Sequence, residues 1–444
     1  MKTFPRFALA AALLAGASGL ALTPALAKDK KKEEQTGPQK PSVSNADALK
    51  QIQAAQTAIG AKDYATATTA LTAADAAAKT DGDRYFITAL RLQMTAGQLA
   101  PNDPTADAKL APLLDQLLAN PVTPQEDLGR YTYSRGNMYY NAKQFPQALA
   151  AFQKAQQLGY QNENLALQIV RAKTEGGDVA GGLADLEKSI LAEKAAGRPV
   201  SEDQYRFAIS RYYKLGDNAG TQRVTAMWLH DFGTPKNWRD AIYTFGFQGA
   251  GAKRIDSRQR VDLFRLMRAT NSLVGADYLE YAQLTYDTGL ARESVSVMDE
   301  GVKNGKIPAA GGKPTGSAAQ LLGLARQQLG TEGTAEAQEA KAKRTGTGRA
   351  LADVGDFYLG NNNWAKAAEL YRAALAAPKP GTPAMNADEV NTHLGIALAN
   401  AGDKTGAKQA FSSIKTAPRT EIAQLWTVWL DAPANGAAAP VAAN

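Results

Sequence analysis

One spacing recurs along this chain. Residues 136–158 read GNMYYNAKQFPQALAAFQKAQQL, residues 355–377 read GDFYLGNNNWAKAAELYRAALAA, and residues 395–417 read GIALANAGDKTGAKQAFSSIKTA. Each opens on a Gly (Gly136, Gly355, Gly395), with Tyr139, Tyr358 or Leu398 three residues later. Twelve residues after the Gly comes Ala148, Ala367 or Ala407, and four further on Phe152, Tyr371 or Phe411. Ala155, Ala374 or Ile414 follows three beyond that. Residues 55–77 repeat the pattern more loosely with Ala55, Ala58, Ala67, Leu71 and Ala74.

Such a pattern constrains the fold because it places small and large groups at helical intervals. Ala148, Phe152 and Ala155 stand at i, i+4 and i+7, so they share one helix face. Gly and Ala let two helices approach closely, and the ring fills the space beside them. The connectors NAKQ, GNNN and AGDK are short enough for a tight turn between antiparallel helices. Pro146 falls in the first turn of its helix, where a missing N–H does no harm.

The unit resembles the tetratricopeptide repeat family, a 34-residue helix–turn–helix that stacks into a superhelix. Leu351, Val354, Gly355 and Tyr358 with Ala367 and Tyr371 follow the family pattern, as do Leu394, Gly395 and Leu398 with Ala407 and Phe411. The leading Trp is missing from every copy, and Pro378 and Pro418 fall one residue before the family's place. The resemblance implies an all-α solenoid of about ten helical pairs, several of them degenerate. The remaining segments read as amphipathic helices with no alternating strand pattern.

Residues 1–27 carry Lys2 and Arg6, an apolar stretch, and Ala25-Leu26-Ala27, the layout of a secretory signal cleaved after Ala27. Pro24 and the glycines interrupt the apolar run before the ~20 residues a membrane span needs. No membrane span is expected after cleavage. The Ala-rich leader and the absence of cysteine point to a bacterial protein of the periplasm. Residues 28–45 are charged and poor in large apolar groups, a flexible linker. An N-terminal array is expected over 46–305, a Gly/Pro-rich break at 306–316, a second array over 317–431 and a disordered tail over 432–444.

Little points to catalysis. Zero cysteines exclude disulfides, thiolate metal sites and Cys nucleophiles. His230 and His393 are far apart and read as ordinary helix residues. Ser412 and Lys415 match S-x-x-K, and Lys404-Thr405-Gly406 spells K-T-G, but the order and the helical setting do not suit a serine acyl-enzyme. GAGAK (249–253) and GTGRA (346–350) lack the strand and the ending of a phosphate loop. No cofactor, metal or nucleic-acid partner is expected. Removing residues 1–27 takes the formal net charge from +7 to +5, which permits weak attraction to acidic envelope polymers.

The expected function is therefore a non-enzymatic scaffold binding another envelope protein, through a peptide segment on the concave face of stacked hairpins. Arg130, Tyr133, Asn137, Tyr140 and Asn141 fall on one face of the helix preceding the first turn, with interface-like composition. Tetratricopeptide proteins often hold a peptide backbone with Asn on this face, which the resemblance implies for Asn137. A carboxylate clamp of Lys or Arg over three successive repeats is not found. An alternative is an accessory factor that binds or helps export polysaccharide or peptidoglycan. A dense aromatic segment, residues 228–247, reads as core at an irregular junction.

Overall fold

The computed structural model describes residues 41–432 apart from 163 and 382. The expected signal sequence, most of the linker and nearly all of the C-terminal tail lie outside the described residues. The described chain is all-α but for one hairpin of two-residue strands, and it divides into two compact units at Val200/Ser201. Among the described residues no helix is long and apolar enough to cross a membrane.

The first unit is a run of helix pairs: Ala46–Gly60 with Tyr64–Ala77, Asp81–Gln98 with Ala106–Ala119, Gln125–Asn141 with Phe145–Gln157, and Leu165–Glu175 with Val179–Ala195. Their starts are set by side-chain caps. Asn45, Asp63 and Asp178 each accept a hydrogen bond from a backbone N–H of the first turn, and Thr80 with Asp83 forms a capping box.

The second unit contains Glu202–Leu215 with Asn218–Phe232, then Pro235–Gly246 and Ser257–Ala269, Gly275–Asp287 with Ala291–Lys303, and Ser317–Glu332 followed by Ala335–Thr345. Gly348–Gly360 with Trp364–Ala376, Ala387–Asn400 with Lys404–Ser412, and a final helix Arg419–Asp431 complete it. That final helix packs on Lys404–Ser412 and Ala387–Asn400, and also on Asn218–Phe232 and Ser257–Ala269 near the beginning of the unit. A helix that touches both ends of an array closes it. The sequence suggests only a cap on the last pair.

The recurring spacing has a direct structural cause. A methyl group on Gly136 would stand 2.6 Å from Phe152, on Gly355 2.5 Å from Tyr371, and on Gly395 2.3 Å from Phe411. The ring therefore occupies the space that Gly leaves, and Phe152 and Tyr371 are fully buried. Ala55, Ala67, Leu71 and Ala74 of the loose copy are equally buried.

One turn recurs at seven of the helix reversals, including some the sequence shows only as degenerate. Lys62, Lys143, Gly177, Gly216, Gly289, Asn362 and Gly402 all hold positive φ. The residue after each donates its N–H back to a carbonyl of the preceding helix: Asp63 to Ala58, Gln144 to Tyr139, Asp178 to Lys173, Asp217 to Tyr212, Leu290 to Thr285, Asn363 to Tyr358 and Asp403 to Leu398. This is the Schellman closure, and it fixes each reversal locally.

The boundary expected at 306–316 is not where the chain divides. Those residues form an antiparallel strand pair, Ala309–Ala310 with Lys313–Pro314, turning at Gly311 and Gly312. The flanking helices Ala291–Lys303 and Ser317–Glu332 pack directly on one another. Gly and Pro mark a local turn here, whereas a compact boundary depends on which helices stay in contact.

Candidate functional site

The expected face of the first unit is largely occupied by its own neighbours. Tyr133 is buried, with ring centroids 5.6 Å from Phe152 and 5.2 Å from Tyr160, and burial raises its hydroxyl pKa. Asn137 is also buried and accepts a hydrogen bond from Gln168 Nε2 at 3.2 Å. The next hairpin supplies the cover: Leu165, Gln168 and Ala172 all come from its first helix. Arg130 is half-buried, bonded to Asp127 at 2.5 Å and lying over the Tyr131 ring. Tyr140 packs edge-on against Phe145, and Asn141 donates to Asp107 at 3.4 Å. Only Arg130, Tyr140 and Asn141 of the five keep partial exposure. A helical wheel of one repeat places all five on one face, but it cannot show what the following repeat lays over it.

The second unit holds two features with chemical content. The first is a buried ionic centre. Asp262 of Ser257–Ala269 accepts from Arg265 at 2.8 Å and from Arg419 of the final helix at 2.7 Å. His393 stands between two carboxylates, its Nε2 3.2 Å from Asp262 and its Nδ1 2.6 Å from Asp356. Glu293 takes both remaining edges of Arg265, at 2.9 and 2.6 Å, while Tyr281 and Tyr371 donate hydroxyls to Glu293 and Asp356 at 2.5 and 2.7 Å. Three carboxylates thus face two guanidiniums and one imidazole, and the charges balance when His393 is protonated.

The electrostatics agree with that count. Burial opposes charge on His393, but Asp356 and Asp262 outweigh it and push its pKa up to about 9. Burial likewise opposes ionisation of Asp262, yet His393, Arg419 and Arg265 hold its carboxyl well below the usual range. Asp356 is held down to about 2 against its own burial, chiefly by His393. No acid or base is left with an accessible reacting position, so the centre reads as structural. The sequence reading of His393 as an ordinary helix residue misses this role. A signal was present: Arg258, Asp262 and Arg265 occupy i, i+4 and i+7, where an apolar stripe is expected.

The second feature is a groove of about 450 Å³ between the Glu202–Leu215 and Asn218–Phe232 hairpin, the Pro235–Gly246 helix and the final helix. Ile209, Phe245, Leu425 and one edge of Trp228 supply apolar wall. Gln222, Gln248 and Gln424 line it too, and their side-chain amides make no hydrogen bond among the described residues. Tyr213 stands at the groove 47% exposed. Trp228, by contrast, is fixed: its indole N–H donates to Glu202 at 3.0 Å, and Arg206 covers its ring. Arg254 and Glu421 also line it and pair, one guanidinium nitrogen standing 2.7 and 2.5 Å from the two carboxylate oxygens. Within residues 228–247, Trp238 is core as expected, while Phe245 faces the groove.

The motif matches are absorbed by local structure. Ser412 Oγ donates to the Gln409 carbonyl and Lys404 Nζ to the Leu430 carbonyl. Gly346 ends one helix in the left-handed region, and Thr347 caps the next. His230 is exposed beside Asp231.

No family model and no curated protein matches the chain. Among solved structures it is similar to a chain in the crystal structure of the APC/C hetero-tetramer Cut9-Hcn1. The identity is 11%, the match covers 83% of this chain and 86% of that one, and the TM-score is 0.20. The family likeness therefore stands on the chain's own hairpins, in which a Gly faces a buried ring and a left-handed turn follows, an all-α, tetratricopeptide-like helical repeat.

Proposed function

We propose that the chain is a non-enzymatic scaffold of the bacterial cell envelope, exported to the periplasm, that binds an extended peptide segment of a partner protein. The groove of the second unit, rather than the Arg130–Asn141 face, is the binding surface. The observation that carries this reading is the set of uncommitted amides. Each Gln side chain offers both a donor and an acceptor, the pair of functions that an extended peptide backbone presents at every residue. Apolar wall from Ile209, Phe245 and Leu425 suits alternate side chains of such a segment. A glycan would use the same amides and stack on the exposed Tyr213, although Trp228 is closed to it at 5% exposed; the apolar wall, which a sugar leaves unmatched, favours peptide.

The test is a peptide array run beside a glycan array, using the mature protein and a triple variant, Tyr213→Ala, Gln222→Ala and Gln248→Ala. All three positions are half-buried or exposed, so helicity should be retained. Peptide capture by the mature protein and its loss in the variant would support the reading. Glycan capture without peptide capture would replace it with the polysaccharide alternative. For export, N-terminal sequencing of protein recovered from a bacterial periplasm should begin at Lys28, and a chain retaining residues 1–27 in the cytoplasm would refute that part.

A further inference from the structure

Every charged side chain on the wall of the peptide groove is already paired. Arg206, Asp240, Arg254 and Glu421 line it. Arg206 stands 2.8 Å from Glu202, Asp240 accepts from Lys236 at 2.6 Å, and Arg254 and Glu421 take each other. Two guanidiniums thus face two carboxylates on the wall, and the outside partners Glu202 and Lys236 also cancel. The other polar side chains are neutral. Ser210, Asn218, Gln222, Thr225, Gln248 and Gln424 make no side-chain hydrogen bond among the described residues. A charged side chain entering this groove therefore gives up water and gains no free countercharge, which is unfavourable. A neutral one meets no such cost: amides and hydroxyls bond to its polar groups, and Ile209, Phe245 and Leu425 cover its apolar ones.

We propose that the groove selects an uncharged extended segment, one without Asp, Glu, Lys or Arg where its side chains face the wall, and that the Arg254–Glu421 pair enforces the selection. This rests on the peptide reading of the groove. In an extended chain alternate side chains point the same way, so the exclusion applies at every second position. Arg254 and Glu421 enforce it because each cancels the other. They lie 167 residues apart in the chain and meet where both line the groove. Without the charge of Glu421, Arg254 offers a free guanidinium to a carboxylate. Without Arg254, Glu421 offers a free carboxylate to a Lys or Arg. An acidic or basic partner needs a surplus of the opposite charge on the wall, and the wall has none.

The probe is a positional-scanning library of nonapeptides, acetylated and amidated at their ends, captured on the mature protein at low and at high salt. The captured peptides should be depleted of Asp, Glu, Lys and Arg at alternate positions. Capture should change by less than about twofold with salt, since no ion pair forms across the interface. Glu421→Gln should enrich Asp and Glu at one position by about tenfold, the effect of a charge-assisted hydrogen bond. Arg254→Gln should enrich Lys and Arg there instead, and the double variant should return to the neutral preference. The pair is part-exposed, so its loss costs little stability, and far-UV circular dichroism should show all three variants folded. A merely loosened wall would lower capture of every peptide alike and could not produce opposite enrichments. Charged residues kept as readily as neutral ones at every position, capture that falls severalfold with salt, or single variants with unchanged preference would overturn the selectivity and leave the groove a peptide site. No capture of any peptide would overturn the peptide reading and this proposal with it.

Discussion

The first and second units use the same hairpin and the same turn, yet they bury opposite kinds of chemistry. In the first unit, Asp83 is the buried carboxylate, and the Ser44 hydroxyl and three backbone N–H groups satisfy it. Despite burial, its bonds from Ser44, Lys79 and Thr80 bring its pKa down to about 2. The rest of that core is Ala, Leu, Ile and a few rings. In the second unit Asp262, Glu293 and Asp356 meet buried cations, Arg265, Arg419 and His393. The reach differs as well. Tyr85 finds Asp127 42 residues away, whereas Arg419 finds Asp262 across 157 residues and Arg254 finds Glu421 across 167. A stack in which each pair meets only the next can be built from short-range contacts. A stack that closes on itself brings helix faces together that would otherwise be wet, and charges on those faces must then be paired.

The sharpest way to break this comparison is to remove one carboxylate at the closure. Asp262→Ala leaves Arg265, Arg419 and His393 without their common acceptor, and should destabilise the second unit by about 3–5 kcal/mol. All five tryptophans, Trp228, Trp238, Trp364, Trp426 and Trp429, lie in that unit, so indole fluorescence during denaturation reports on it alone. Asp127→Ala in the first unit removes a partly exposed acceptor, and should cost about 1–2 kcal/mol while leaving the fluorescence transition in place. If both variants shift only their own unit by similar amounts, the ionic centre is not what holds the closure.

A second difference is pH dependence. The folded pKa of His393, about 9, lies above its ordinary 6.5. The stabilisation from its charge is therefore complete below pH 6.5 and lost as pH rises through 9. It is of the order of 3 kcal/mol. The groups facing His393 are Asp262, Asp356, Arg265 and the Tyr371 ring. Urea midpoints followed by fluorescence should fall between pH 6.5 and 9, and His393→Gln should flatten that fall. Hydrogen exchange within residues 46–195 should show no matching change. A parallel loss in both units would refute the assignment to His393.

The smallest effect tests what the units share. Lys143 holds φ of 61°, a conformation that costs a side-chain-bearing residue about 1–2 kcal/mol and Gly almost nothing. Lys143→Gly should stabilise the first unit by about 1 kcal/mol, and Gly402→Ala should destabilise the second by a similar amount. Thermal melts read by far-UV circular dichroism are sufficient. Opposite signs confirm one turn in both units, and a destabilising Lys143→Gly would show that its side chain matters more than its backbone.

The legible part of the fold is the part with short reach. Gly136 and Phe152 are sixteen residues apart and Gly355 and Tyr371 the same, so their packing leaves a regular mark in the chain. The turns show in the sequence as short connectors, but their left-handed residue is visible only where Gly or Asn supplies it and hidden where Lys62 and Lys143 do. The candidate site was less legible. The Arg130–Asn141 face was found by periodicity, but periodicity says nothing about the Leu165–Glu175 helix that covers Tyr133 and Asn137. The groove residues Gln222, Gln248 and Gln424 carry no spacing at all, because two of them come from elements that meet only when the unit closes.

The sequence by itself determined the helix, the hairpin and the left-handed turn, since each follows from side chains within about one repeat. Tertiary structure alone decided where the units divide, that the final helix returns to the beginning of its unit, and that His393 carries a proton between two carboxylates. The physical reason is distance along the chain. A ring filling the space beside a glycine is specified by its near neighbours, whereas the pairing of Asp262 with Arg419 exists only after 157 residues have folded into place.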